Sequence, residues 1–343
     1  MGVGTGLRDD VGHSALATLG VVWAAGRGQP LMQAIPKRLL LGSAALLLLL
    51  ALVPTLESKY LVDLSTEIMI YALFALSLNV LVGYSGNITF GHAAYFSIGG
   101  YTCAILLTTY DWPLILSFPA AVLLSACAAA FVGYFCVKLT DIYFAMLTLA
   151  FGMLIWAIAF KWRPVTGGDD GFVGVNVPAF IDDRFAYFYF TLVVVALSVA
   201  LLWLICHSAF GKTLLAVREN RMRAGFVGVN TMRVRHAAFV VAGTFAGVAG
   251  ALFAMHIRGV YVESAFWTES GQVLIMALLG GLNSFFGPAL GAAVLYTLQV
   301  GINQYTEYWP VVLGVILLAI LMFLPDGLIG LAQKIRTQFL RKA

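Results

Sequence analysis

The feature that most constrains this sequence is a series of long apolar runs without a charged residue. Several extend for about fifteen residues or more, close to the roughly 20 that a helix needs to cross a bilayer core. Only 10% of the 343 residues are charged, whereas soluble domains average about 25%. The mean hydropathy is +0.94. The sequence therefore predicts an all-α, polytopic membrane protein whose backbone hydrogen bonds close within helices.

Charged or Gly/Pro-rich breaks divide these runs into about ten predicted transmembrane helices. The predicted helices are 39–53, 64–83, 91–110, 114–137, 142–160, 186–206, 237–256, 271–283, 288–302 and 309–325. The polar segment 207–236 and the C-terminal tail are both rich in lysine and arginine, which favour the cytoplasmic side. An even number of crossings must separate them, so the apolar region 271–302 is predicted to contain two short helices.

This topology predicts both termini in the cytoplasm, with most of the twenty basic residues inside and most of the sixteen acids outside. It divides the chain into an N-terminal cytoplasmic segment 1–38, a transmembrane domain 39–325 and a basic cytoplasmic tail 326–343. No polar stretch is long enough to bury a core of its own, so we expect no soluble catalytic domain.

A nucleotide site is excluded by the spacing of the glycines. Gly211-Lys212-Thr213 resembles the end of a phosphate-binding loop, but that loop needs another glycine five residues earlier, where this chain has Cys206. We therefore expect no cofactor in this chain. The sequence also lacks H-E-x-x-H and G-x-S-x-G motifs, so an enzyme is not expected.

A polar, glycine-rich stretch, "GYSGNITFGHAAYFSIGGY" at 83–101, interrupts two apolar runs. Its segment "NITFGHA" shares the pattern N-x-x-F-G-x-A with "NSFFGPA" at 283–289, and both are predicted to form turns on the cytoplasmic side. Two interpretations remain open: the polar residues line a permeation path, or they close a tight helix hairpin. The candidate residues are Asn79, Tyr84, Asn87, Thr89, His92 and Asn283.

The second informative segment is "GKTLLAVRENRMRAGFVGVNTMRVRH" at 211–236. Leu214, Leu215 and Val217, followed by several arginines, predict a short amphipathic helix and then a small-residue turn before Asn230. Such a helix could bind anionic lipid or dock into a groove of a partner protein, and the residues alone leave both possibilities open.

Five blocks together resemble a known family: "LSLNVLVGYSGNITFGHAAYFSIGGY", "DIYFAMLTLAFG", "TGGDDG", "GKTLLAVRENRMRAGFVGVN" and "ALLGGLNSFFGPALGAAV". They cover most of residues 70–300 in the family's order. The chain resembles the permease subunits of bacterial branched-chain amino acid ABC importers, the LivH/LivM type, and the LivM branch in particular.

The resemblance implies that the loop 207–236 carries the coupling helix that seats in a cleft of an ATPase subunit. The general motif there is E-A-A-x-x-x-G, of which Ala224 and Gly228 remain, while Met222 and Arg223 replace the leading Glu-Ala. The candidate coupling residues are Gly211, Arg218, Glu219, Arg221, Arg223, Ala224, Gly228 and Asn230.

The resemblance further implies a multi-pass protein of the bacterial plasma (inner) membrane that forms half of a pore. A second, LivH-like permease, two ATP-binding cytoplasmic subunits and an extracytoplasmic solute-binding protein would complete the system, with no nucleic acid involved. The expected solute is a branched-chain or other hydrophobic amino acid. The alternative is an ion-coupled secondary transporter that uses Asp63, Glu67 or His92 at membrane depth.

Overall fold

The computed structural model describes residues 58–303 and the isolated positions 54, 311, 314, 315 and 328. The predictions for 1–38, 39–53, 309–325 and 326–343 lie outside the described residues, apart from those isolated positions. The total of ten helices and the cytoplasmic location of both termini therefore stay predictions.

Each helix predicted between 64 and 302 corresponds to a helix of the structure. In chain order the helices are α1 (Lys59–Asn79), α2 (His92–Thr108), α3 (Leu114–Cys136), α4 (Asp141–Lys161), α5 (Arg163–Thr166), α6 (Arg184–His207), α7 (Ala209–Glu219), α8 (Arg221–Phe226), α9 (Thr231–His256), α10 (Trp267–Gly280) and α11 (Gly287–Asn303). A π-helical segment, Val80–Tyr84, continues α1.

Five helices are long and apolar enough to cross a membrane: α1 with its π segment, α3, α4, α6 and α9. Helices α10 and α11 are shorter, with 14 and 17 residues, and the turn after Gly280 joins them. At a rise of about 1.5 Å per residue, α10 is only about 21 Å long. The region 271–302 is thus two short helices, as the charge argument predicts.

Helices α1 and α9 form the centre of the bundle. In their most apolar windows 83% and 78% of the residues are buried, against 22–28% for α3, α4 and α6. The peripheral helices expose large apolar side chains such as Ile115, Ile142 and Leu197. An apolar periphery around a packed centre suits a helix bundle that is surrounded by lipid.

Glycines let α2 and α9 approach each other at backbone distance. A Cβ atom on Gly99 would lie 2.2 Å from the carbonyl oxygen of Gly247, and one on Gly250 would lie 1.8 Å from that of Phe96. Small residues at helix contacts allow such close approach within membranes. Gly99 belongs to the glycine-rich stretch 83–101, and the structure shows that its partner helix is α9.

A small β-ribbon is an addition to the predicted all-α fold. Strands β1 (Phe172–Val173) and β2 (Gly259–Val260) pair antiparallel, with Phe172 opposite Val260. Two ion pairs of 2.6 Å, Arg184–Asp63 and Arg258–Asp182, lie at the same end of the bundle. We call this the far end, and the end that carries residues 207–236 the basic end.

We predict that Gly250→Leu lowers the melting temperature of the purified protein, because a side chain there would collide with the Phe96 carbonyl. Overpacking typically costs about 1–3 kcal/mol. The matched control is Gly271→Ala in α10, where a Cβ atom meets nothing within 4 Å. Unfolding is monitored by tryptophan fluorescence in detergent. Equal melting temperatures for Gly250→Leu and the parent protein would contradict the close helix contact.

Candidate functional site

The centre of the candidate site is the polar break between α1 and α2. The chain leaves the π segment through Ser85, whose amide donates to the Val80 carbonyl at 3.2 Å. The Asn87 amide then donates to the Leu81 carbonyl at 2.9 Å, and Gly86 has a φ of +71°. π-helical turns occur frequently at functional sites. The predicted break is therefore a defined, hydrogen-bonded turn.

Asn87 connects this turn to the loop 207–236. Its side-chain Oδ1 accepts hydrogen bonds from Arg221 Nη2 and Arg235 Nη2, each at 2.9 Å. Its Nδ2 donates to Ser85 Oγ at 2.5 Å. Asn87 is only 2% exposed. A single buried amide thus joins α8 and α9 to the turn between α1 and α2.

Arg235, in the second turn of α9, extends the network to the end of α3. It is 4% exposed and donates from Nη1 to the Val137 carbonyl at 2.7 Å and from Nη2 to the Leu139 carbonyl at 2.9 Å. The last carbonyls of a helix lack partners within the helix. Arg235 therefore supplies hydrogen bonds to carbonyl groups at and just after the end of α3. Its guanidinium carbon lies 5.7 Å from the centre of the Phe144 ring.

Arg218 of α7 makes a second connection to the break. Its Nη1 donates a hydrogen bond to the Gly83 carbonyl, inside the π segment. Its aliphatic stem covers the next turn, because a Cβ atom on Gly86 would lie 2.9 Å from Arg218 Cγ. Both the positive φ and this close approach favour glycine at position 86. We call Gly83, Asn87, Arg218, Arg221 and Arg235 the arginine junction.

Within the loop 207–236, residues 209–226 fold as two helices, α7 and α8, rather than as one continuous amphipathic helix. Asn220 adopts an extended conformation, with φ −157° and ψ 105°, and its side chain accepts from the Arg223 amide at 2.9 Å. This N-cap ends α7 and begins α8, a role for which asparagine is well suited. Asn230 caps α9 similarly, accepting from the Arg233 amide at 3.1 Å. The predicted short amphipathic helix therefore corresponds to α7, and Asn220 separates it from Arg221 and Arg223, which belong to α8.

Helices α7 and α8 have a buried side and an exposed side. Leu214, Val217 and Ala224 are buried against the bundle, and Gly211 lies against the end of α6. In contrast, Met222, Phe226 and Val227 are 74%, 86% and 85% exposed. We call these three residues the apolar tip. The charged candidates Glu219 and Arg223 are also exposed.

Gly228 follows the apolar tip with a φ of +91°, and a Cβ atom there would meet nothing within 4 Å. Its amide donates to the Gly225 carbonyl at 3.0 Å. The position therefore requires glycine for its backbone conformation and not for lack of space. Of the two motif residues, Ala224 is thus buried against the bundle, and Gly228 forms the turn that follows α8.

Most of the other polar candidates are buried within the helix hairpin. His92 Nε2 lies 2.9 Å from Ser77 Oγ and its ring stacks on Phe74. Thr89 Oγ1 accepts from the Gly91 amide at 3.3 Å. Tyr84 is half-buried, whereas Asn283 is exposed. This arrangement is that of a closed hairpin at the basic end.

The two turns that share the pattern N-x-x-F-G-x-A lie side by side. Asn79 Nδ2 donates to the Ser284 carbonyl at 3.3 Å. A Cβ atom on Gly83 would lie 2.8 Å from the Leu282 carbonyl oxygen. Both turns therefore occupy the basic end, as predicted from the topology.

Sequence reasoning missed the role of Arg235 and the separation of α7 from α8. The signal for Arg235 was an arginine at the start of a long apolar helix, a position that usually indicates a solvated helix end. No group of three or more potential metal ligands occurs among the residues that the structure describes.

The fold is that of a polytopic helical membrane protein, with the short helices α7 and α8 tied to the bundle at one end. The family model described as branched-chain amino acid transport system / permease component matches residues 60–321, and the chain belongs to this family. It is a permease subunit of an ABC importer and a multi-pass protein of the inner membrane. The relatives are transport permeases and not enzymes.

The curated relatives agree with this assignment. The high-affinity branched-chain amino acid permease LivM of Salmonella typhimurium is 29% identical over 84% of this chain and 74% of its own length. LivH of the same organism is 26% identical over 76% of this chain and 91% of its own length. LsrC, an autoinducer 2 import permease of Salmonella paratyphi B, is 30% identical over 51% of this chain and 50% of its own length. No solved structure matches the chain.

We predict that Asn87→Leu accelerates tryptic cleavage after Arg221 in the folded protein. The substitution removes the oxygen that holds both Arg221 and Arg235. A hydrogen bond to a charged group contributes about 1.5–3 kcal/mol, so cleavage through local opening should become roughly tenfold faster or more. Ile88→Ala, at the neighbouring half-exposed position, serves as control. Identical cleavage rates in both variants and the parent would argue against the junction.

Proposed function

We propose that this chain pairs with a second, LivH-like permease to form the translocation path for a branched-chain or other hydrophobic amino acid. Two ATPase subunits in the cytoplasm drive transport. The chain crosses the membrane ten times, so that the basic end and both termini lie on the cytoplasmic side. An extracytoplasmic binding protein delivers the solute at the far end. In this arrangement ATP is bound by the partner subunits.

The observation that carries the proposal is the two-sided character of α7 and α8. A helix that only rests on lipid would not need Ala224, Leu214 and Val217 anchored into the bundle. The apolar tip is exposed on the same two helices, and so are the charged residues Glu219 and Arg223. An apolar core with a charged rim is the composition of a protein docking surface. It suits the cleft of an ATPase subunit.

The arginine junction connects the docking surface to the central helices of the bundle. Displacement of α7 acts directly on the Gly83 carbonyl through Arg218. Displacement of α8 acts on Asn87 through Arg221, and Asn87 is shared with Arg235 of α9. Closure of the ATPase pair would therefore move the ends of both central helices together. Tilting of these helices would switch the pore from one-sided to other-sided access.

The choice of solute rests on the relatives. LivM and LivH are named for branched-chain amino acid transport and match most of this chain. LsrC is named for autoinducer 2 import and matches about half of it. The shared fold therefore accommodates more than one solute, and direct import measurements with purified components are the test of the amino acid.

We predict that Phe226→Glu abolishes co-purification of the ATPase subunits and leaves the permease folded. Phe226 is 86% exposed, so the substitution places a charge in the centre of the apolar tip without disturbing the bundle. The control is Phe180→Glu, an exposed aromatic residue at the far end. The measurement is the amount of ATPase recovered with tagged permease in mild detergent. Full recovery with Phe226→Glu would contradict this docking surface.

We further predict that Gly228→Ala weakens ATPase attachment whereas Gly225→Ala does not. Both sites have open space around an added Cβ atom, but only Gly228 has a positive φ. The left-handed conformation costs a non-glycine residue about 1–2 kcal/mol, which corresponds to roughly a tenfold loss of affinity. Titration of detergent-solubilised permease with purified ATPase measures this difference. Equal affinities for the two variants would show that the turn geometry is unimportant.

A further inference from the structure

A cavity of about 310 Å³ lies between α1, α2, α9 and α10. Tyr71, Phe96 and Phe253 form aromatic walls, and Tyr71 packs edge-on to Phe253 with ring centres 5.7 Å apart. Its volume falls at the lower end of the roughly 300–1,000 Å³ typical of small-molecule sites. It therefore has the size and the lining for a small apolar group.

Two carboxylates line this cavity, Glu263 at its exposed rim and Glu269 in its partly buried wall. Glu269 belongs to the first turn of α10 and lies within electrostatic range of Tyr71 and Tyr296. Among the residues that the structure describes, no side chain donates a hydrogen bond to Glu269 or forms an ion pair with it. Burial of a charge is costly unless the charge is paired, so a partly buried, unpaired carboxylate in a cavity indicates a candidate binding site.

The neighbouring carboxylate, Glu67, is satisfied within the protein. Tyr296 donates its hydroxyl to Glu67 Oε2, and His256 Nε2 lies 3.5 Å from Glu67 Oε1. Tyr296 and His256 therefore provide polar partners for Glu67, which allows a carboxylate to lie on the central helix α1. The two carboxylates therefore differ: within the described part of the chain, Glu67 has partners and Glu269 has none.

We propose that Glu269 and its cavity bind the ammonium group and the apolar side chain of a hydrophobic amino acid during translocation. The inference rests on the proposed function. A charge-assisted hydrogen bond from the ammonium would neutralise Glu269. Tyr71, Phe96 and Phe253 would cover the apolar side chain, and Ser97, which lines the same cavity, can donate its hydroxyl to the α-carboxylate.

The surroundings of the cavity supply a route of entry. Exposed Tyr261 and Glu263 form its rim at the far end. A second, wider cavity of about 830 Å³ shares the lining residue Ile257 and contains Lys59, Arg184 and Arg258 beside several carboxylates. In the proposed route a zwitterion passes from this charged cavity, past Glu263 at the rim, to the aromatic walls and Glu269.

The test is leucine import by the complete complex in proteoliposomes, with the binding protein outside and ATP inside. We expect Glu269→Gln to lower the import rate at least tenfold while the complex assembles normally. The control is Asp111→Asn, an exposed carboxylate with a φ of +49° that asparagine also tolerates. Failure of the parent complex to import any hydrophobic amino acid would refute the proposed function itself. Import by Glu269→Gln at the parental rate would refute only the binding site.

A second measurement covers the case in which Glu269→Gln does not assemble. Ser264→Cys introduces a thiol into the lining of the cavity, and the exposed native Cys127 is replaced by serine. We expect leucine to slow modification of this thiol by a maleimide in the assembled complex, and a carboxylic acid of the same shape without the amino group to have no effect. Equal protection by both compounds, or none by leucine, would overturn the assignment of Glu269 as the ammonium partner.

Discussion

The rest of the structure depends on how the chain satisfies its backbone where α1 breaks. Within lipid, an irregular backbone is tolerated only where protein or water provides hydrogen-bond partners. Here part of the backbone is closed within the turn itself, where the Ser85 and Asn87 amides donate to the Val80 and Leu81 carbonyls. The segment that follows α6 supplies the rest: Arg218 donates to the Gly83 carbonyl, and Arg221 donates to the side chain of Asn87. Displacement of α7 and α8 would therefore change the contacts of the break. The contacts that complete the hydrogen bonding of the break are thus the same contacts that link it to α7 and α8.

The same logic explains why Arg235 is buried without a carboxylate partner among the described residues. Its charge is met by the Val137 and Leu139 carbonyls, by Asn87 Oδ1 and by the face of Phe144. A carboxylate would form a tighter pair and would remove the need for Asn87 to be shared. Neutral acceptors hold the guanidinium by geometry rather than by charge alone. Such a contact suits the role proposed for the junction, which is to transmit displacement between three helices.

Much of the helix pattern could be predicted from the sequence because each long apolar run is bounded by charge or glycine. The division of 271–302 required the charge balance of distant segments, and the structure places a turn after Gly280. The arginine junction could not be predicted, since its contacts join positions more than 130 residues apart along the chain. Asn87 was a candidate from composition alone, but whether it lined a path or closed a hairpin depended on partners that no local pattern contains. Glu269 was hidden for a similar reason: its significance lies in which neighbours it lacks.

The arginine junction and the Glu269 cavity are connected by the two central helices. Helix α1 runs from the Tyr71 wall of the cavity to the break at Val80–Tyr84, and α9 runs from Arg235 to Phe253. Close backbone packing at Gly99 and Gly250 leaves α9 little freedom to slide against α2. In the proposed mechanism, motion imposed at the basic end would move α9 and α2 together, relative to the walls that α1 and α10 contribute to the cavity. A solute held by Glu269 would then experience a rearrangement of the aromatic walls, which would couple a distant ATPase to the affinity of the cavity.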